Sequence, residues 1–220
     1  MLRKIPSLLL PLLFVFVAAS SQKAQPFINE INHFRKIDSL HTPPAHPILF
    51  AGSSSFTLWK DVQDYFPSCT ILNRGFGGSS LPHLIMYAED VIFKYDPKQI
   101  VIYCGENDLG PDVKPALITS RFKELYKLIR SRLPDVPLAY ISIKPSPSRE
   151  QYIPVMKKAN KQIRKFLRKQ KNTVFIDVFH SMLNEDGTVK QEIFKEDRLH
   201  MNSKGYEIWK GLIAPHLLCR

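Results

Sequence analysis

Residues 48–59 read I-L-F-A-G-S-S-S-F-T-L-W. Four apolar residues (Ile48, Leu49, Phe50, Ala51) run into one glycine and three serines, and a second apolar, helix-compatible segment begins at Phe56. The pattern predicts a buried strand that ends in a tight turn with a helix directly behind it. A serine in such a turn sits at the carboxyl end of a strand and the amino end of a helix. Open α/β sheets bind ligands at such crevices, and free backbone N–H groups at a helix start favour negative charge.

Working outward, the same unit recurs. Apolar runs at 47–51, 69–73, 99–104, 137–143 and 173–178 are each short and nearly continuous, as expected of strands covered on both faces. Helical periodicity appears at 27–40, in a short piece ending at Trp59, and at 82–94, 118–133, 153–169 and 203–217. Strands alternating with helices predict a five-stranded parallel sheet between helical layers. No repeat, low-complexity segment or second domain is visible. The chain has 220 residues, 44% hydrophobic and 23% charged, which suits one domain with a substantial core.

The amino terminus stands apart. A basic head with Arg3 and Lys4, an apolar run over 7–19 and small residues from Ala18 to Ser21 make the three regions of a secretory signal peptide. The apolar run falls short of the ~20 residues a membrane span needs. Residues 1–25 are therefore expected to be a leader, with 26–220 forming the domain. The protein is then exported, to the periplasm or the extracellular space, with no stable membrane span after cleavage. The remaining chain is basic. Three cysteines (Cys69, Cys104, Cys219) are an odd count, so no disulfide framework is expected, and Cys69 and Cys104 read as small buried hydrophobes. No Cys/His cluster has zinc spacing.

Three of the strands end in polar turns: Ser53, Ser54 and Ser55; then Gly77, Gly78 and Ser79; then Gly105, Glu106, Asn107 and Asp108. In a parallel sheet these turns lie along one edge. A fourth piece, Asp197, Arg198, Leu199 and His200, precedes the last helix. Together they contain what acyl transfer needs. A serine hydroxyl attacks only when a base takes its proton, and that base is commonly a histidine. The imidazole in turn needs an acceptor on its far nitrogen. Ser54, His200 and Asp197 fill these roles. The oxyanion needs preplaced donors, available from the backbone N–H of Ser54 and Gly78 and the side-chain amide of Asn107. Each turn alone has a plain alternative: a G-S-S-S turn often only caps a helix, and a Gly-Gly turn is often only a turn. Their joint occurrence at strand ends favours catalysis.

These four blocks, in this order, resemble the SGNH hydrolase superfamily, the GDSL esterases and lipases, over roughly residues 46–217. Ser53 stands where G-D-S-L has its acid, and the G-S-S-S-F-x-x-W form resembles a bacterial branch. Register with the first block favours Ser54 over Ser53 and Ser55 as nucleophile. The resemblance implies a flavodoxin-like three-layer α/β/α sandwich, a triad of Ser54, Asp197 and His200, oxyanion donors at Ser54, Gly78 and Asn107, and neither metal nor organic cofactor. The expected substrate is a small ester or acylated glycan. The absence of a long apolar lid, and loops at 105–115 and 144–151 that are short and polar or proline-rich, favour a short acyl group such as acetyl on carbohydrate. The alternatives are a lysophospholipase or thioesterase for longer acyl chains, or an inactive glycan-binding module. Residues 157–171 hold eight Lys or Arg and no acid. With Met156, Ala159, Ile163, Phe166 and Leu167 opposite them, they read as a solvated helix face, and no nucleic-acid partner is expected. Arg74 and Glu106 flank two of the turns and are expected to hold them in shape. Trp59 is expected in the core. Histidines 33, 41, 46, 83, 180 and 216 show no partner pattern.

Overall fold

The computed structural model describes residues 25–219. The expected leader, residues 1–25, therefore lies outside the described residues apart from Gln25. Five strands, β1 (Ile48–Gly52), β2 (Ile71–Gly75), β3 (Gln99–Tyr103), β4 (Leu138–Ile141) and β5 (Thr173–Ile176), form one sheet in the order β2-β1-β3-β4-β5. All four pairings are parallel. The order reverses at β1, which lies between β2 and β3, so the crevice of such a sheet opens beyond the carboxyl ends of these strands.

The pleat explains why the strands are apolar throughout. Leu49, Ala51, Ile100, Ile102, Leu138 and Tyr140 point into one core, covered by α1 (Ile28–Leu40), α4 (Leu81–Met86), α5 (Ala88–Val91), α6 (Pro115–Arg132) and α7 (Ile153–Leu167). Their neighbours Ile48, Phe50, Val101, Tyr103, Ala139 and Ile141 point into a second core, under α2 (Ser54–Thr57), α3 (Val62–Tyr65) and α8 (Ser203–Ile213). Period-two alternation with both faces buried leaves no polar side to the interior strands. Trp59 is fully buried and stacks on Tyr206 with ring centroids 4.7 Å apart. The cations of α7 are exposed, and Met156, Ala159, Ile163 and Leu167 are buried beneath them.

Several expectations change. The single helix over 82–94 is broken into α4, α5 and a turn at Phe93–Tyr95. Tyr87 leaves helical geometry (φ −107°, ψ 19°), its ring is buried, and its hydroxyl donates to Pro26 O at 2.5 Å. Strands β4 and β5 end at 141 and 176 rather than 143 and 178. There the Ser142 hydroxyl accepts the Val178 and Phe179 N–H groups (3.0 and 3.1 Å), replacing ladder bonds. The short helix α3 has too few residues to show periodicity. Arg74 is buried and pairs with Asp38, also donating to Tyr95 Oη at 2.7 Å. It thereby fastens α1 to β2.

The cysteines are the largest correction. Cys69 and Cys219 form a disulfide across 150 residues, and Cys104 alone is free and buried. The tail returns to the start of β2 because Gln99 grips it twice, donating to His216 O (2.7 Å) and accepting from Leu218 N (2.9 Å). A bridge closing so long a loop contributes about 3–5 kcal/mol. Reduction, or Cys219→Ser, is expected to lower the thermal midpoint by roughly 6–20 °C. Calorimetry with and without dithiothreitol checks this, and an unchanged midpoint would argue against the bridge.

Candidate active site

The turns after β1, β2 and β3 each contribute one wall. Gly52 closes β1, with a backbone so near β3 that a Cβ there would lie 2.0 Å from Tyr103 O. The Ser53 N–H donates to Tyr103 O (3.0 Å), and the chain then turns into α2 with Ser54 as its first residue. Ser53 and Ser55 are buried at 1% exposure, whereas Ser54 faces the cleft. The Ser79 hydroxyl donates to Gly52 O (3.2 Å), locking the turn after β2 against the one after β1. Gly78 has φ +80°, where a side chain would be strained. After β3, Asp108 is buried and accepts from Leu81 N (2.9 Å) and Arg121 Nη1 (3.0 Å). Burial raises its pKa, opposed by those two donors.

The last block arrives from the far end of the chain. Asp197 Oδ1 accepts from the backbone N–H of both Leu199 and His200 at 2.9 Å, curling residues 197–200 into a tight loop. Its Oδ2 lies 2.7 Å from His200 Nδ1, and His200 Nε2 lies 3.0 Å from Ser54 Oγ. A carboxylate can only accept, so Nδ1 carries the proton and Nε2 accepts from the serine hydroxyl. Desolvation raises the Asp197 pKa, but the hydrogen bonds from His200 and Leu199 outweigh it and hold the carboxyl down at about 2. Asn202 caps α8 directly behind the loop, accepting from Lys204 N at 3.0 Å.

Ser54, Gly78, Asn107 and His200 line one open cleft of about 430 Å³, together with Thr57, Leu58, Gly77, Arg149 and Leu199. Among the described residues, the backbone N–H groups of Ser54 and Gly78 have no acceptor. Asn107 Nδ2 donates one hydrogen to Ser79 O (3.0 Å). A hydroxyl with a base at hydrogen-bond distance, beside unused donors, is the arrangement acyl transfer requires.

A model of the GDSL-like lipase/acylhydrolase family matches residues 50–208. The chain belongs to that family. It is accordingly a serine hydrolase of ester bonds. Solved structures share the fold of this GDSL-like acylhydrolase at low identity. A protein of Streptococcus pneumonia named for platelet activating factor is 22% identical, with TM-score 0.75, covering 86% of this chain and 91% of its own. A GDSL-like lipase from Bacteroides thetaiotaomicron is 16% identical, with TM-score 0.70 and coverages of 84% and 96%. A catalytic mutant of an acetylxylan esterase from Geobacillus stearothermophilus is 13% identical, with TM-score 0.61 and coverages of 78% and 94%. A search of curated proteins finds no match.

Two groups near the site are not apparent from the motifs. Lys144 is fully buried, donating to Glu106 Oε1 (3.0 Å) and Leu199 O (2.8 Å). Burial lowers its pKa, and Glu106 works against that. Arg149, from the proline-rich loop after β4, reaches the cleft. Glu106 also accepts from Tyr103 Oη at 2.5 Å, so it joins β3 to these cations. Some histidines do have partners. His83 Nδ1 accepts from Ser80 N (3.1 Å) in a capping box on α4. His180 pairs with Asp177 at 2.9 Å with the same three-residue spacing as Asp197 and His200, but it is exposed and lines a separate cavity beside α7. Among the described residues, no group of three or more His, Cys, Asp or Glu could hold a metal ion, and no helix is long and apolar enough to cross a membrane.

Proposed function

We propose that this chain is an exported esterase that removes short acyl groups, acetyl above all, from carbohydrate through a Ser54 acyl-enzyme. The observation that carries the reading is the relay from Ser54 Oγ to His200 Nε2 at 3.0 Å and from His200 Nδ1 to Asp197 at 2.7 Å. Ser54 Oγ attacks the acyl carbonyl as His200 Nε2 takes its proton. The oxyanion is held by the N–H groups of Ser54 and Gly78 and by the Asn107 amide. His200 then protonates the departing alcohol oxygen. Water, deprotonated by His200, attacks the acyl-enzyme, and Ser54 regains its proton as the acid leaves.

The cleft supports a short acyl group. Its lining holds two leucines among small and polar residues, and its volume of about 430 Å³ is open to solvent rather than a deep apolar channel. One fold relative is named as an acetylxylan esterase and another as an acetyl esterase. The Cys69–Cys219 bridge supports export, since disulfides persist in oxidising compartments. The test compares kcat/KM for p-nitrophenyl acetate, butyrate and octanoate, followed by acetate release from acetylated xylan. Acetate is expected to be the best ester. A strong preference for octanoate would replace the short-acyl reading with that of a lysophospholipase or thioesterase.

A further inference from the structure

A side-chain amide can serve an oxyanion only if its nitrogen, not its oxygen, faces the reacting carbonyl. Rotation by 180° about the last bond of Asn107 exchanges the two, and little in the residue itself prevents it. In this chain, chemistry on both sides of the amide fixes the choice. Asn107 Nδ2 meets the Ser79 carbonyl, which can only accept (3.0 Å). Asn107 Oδ1 meets Arg149 Nη2, which can only donate (3.0 Å). The rotated amide would set oxygen against oxygen and N–H against N–H. The second Nδ2 hydrogen has no acceptor among the described residues.

Arg149 is itself held on its other arm. Nη1 donates to Glu106 O at 2.7 Å and lies 3.5 Å from Glu106 Oε1. The Glu106 carboxylate is pinned in turn by Lys144 and Tyr103. The same loop touches the histidine block, with Ser148 N donating to Arg198 O (3.0 Å) and Lys144 Nζ to Leu199 O (2.8 Å). Lys144 and Glu106 balance each other, so Arg149 adds one net positive charge beside the place where the oxyanion forms. A cation on the amide oxygen draws charge from the amide nitrogen and makes its free N–H a stronger donor.

We propose that Arg149 is a positioning residue for the oxyanion hole: its guanidinium grips the turn after β3 at two points, Glu106 O and Asn107 Oδ1, and so fixes and polarises the Asn107 amide. This rests on the proposed oxyanion role of Asn107. A lysine could supply the charge but not the planar fork whose two separate nitrogens reach Glu106 O and Asn107 Oδ1 together.

The test is a double-mutant cycle on p-nitrophenyl acetate. Arg149→Ala is expected to lower kcat by about 10- to 100-fold, less than the loss of a direct donor, with KM within about twofold. In an Asn107→Ala background the same change should cost no more than about twofold, because the group it positions is gone. Arg149 is 22% exposed, so dissolved guanidinium can enter the space it leaves. About 50 mM guanidinium chloride should restore the Arg149→Ala rate at least fivefold, where sodium chloride at equal ionic strength does not. If Arg149→Ala does not fold, Arg149→Lys carries the same cycle with a smaller loss. Full additivity of the two substitutions, or a kcat unchanged by Arg149→Ala, overturns the inference alone. An Asn107→Ala enzyme with the parental kcat overturns the oxyanion assignment beneath it.

Discussion

Replacing Ser54 with alanine is expected to lower kcat for short nitrophenyl esters by about 10⁶-fold, leaving only the rate that binding and the oxyanion donors sustain. The reasoning is local. Ser54 is the serine whose hydroxyl reaches His200 Nε2, and it opens on the cleft. Ser53 and Ser55 point into protein at 1% exposure, and Ser55 Oγ has no hydrogen-bond partner among the described residues. Ser53→Ala and Ser55→Ala should therefore keep kcat within about tenfold of the parent. Since the triad acts as a unit, adding His200→Ala to Ser54→Ala should cost almost nothing further. Steady-state kinetics on the set, with an organophosphonate label mapped to its peptide, decides the matter. A Ser54→Ala enzyme within tenfold of the parent, or a label on Ser53 or Ser55, would remove Ser54 as nucleophile.

The second large effect belongs to Asp197. Asp197→Asn is expected to cost about 10⁴-fold in kcat with little change in fold. The reason lies in how the two carboxylate oxygens are used. One already accepts the N–H groups of Leu199 and His200, and the other faces His200 Nδ1. An amide must keep its oxygen on the backbone pair, so its NH₂ turns toward Nδ1. The imidazole proton then moves to Nε2, which can no longer accept from Ser54. Asp177→Asn, with the same spacing to His180, should stay within about twofold, and the contrast excludes a general loss of charge as the cause. A pH series adds a check. With its carboxyl held down at about 2, Asp197 stays ionised from pH 7 to pH 4, so any fall in activity there belongs to another group. The sign for stability follows. A depressed carboxyl supports the fold above its ordinary range near pH 4 and loses that support as pH falls through about 2. The side chain is 47% exposed, so this contribution is small. An Asp197→Asn enzyme with the parental kcat would overturn the assignment.

The parallel sheet and the four turns are legible in the sequence for a common reason: each is a contiguous stretch whose meaning depends on a few neighbours. Ile48 to Ala51 is apolar because both faces of β1 are buried, and Gly52 must lack a side chain because Tyr103 O lies against it. What stays hidden depends on distant partners. Lys144 looks like an exposed charge before two prolines, yet its partners Glu106 and Leu199 stand 38 and 55 residues away. Arg149 sits in a loop that suggests nothing beyond polarity. The odd cysteine count hides the bridge, because Cys104 is the unpaired one and Cys219 finds Cys69 only after the tail has crossed to β2. His180 shows the converse. Its spacing to Asp177 matches that of His200 to Asp197, and only the fold separates them by bringing Ser54 to one of the two.

The bridge also has a consequence for cutting. It makes residues 69–219 a closed covalent ring that contains Gly78, Asn107, Asp197 and His200 but leaves Ser54, with β1 and α2, outside it. A protease that nicks the exposed turn near Gly187 opens the ring without releasing a fragment. The outside strand is no loose end either, since β1 is hydrogen-bonded on both sides by strands that belong to the ring. The nicked molecule stays one covalent unit until a reductant reaches Cys69 and Cys219.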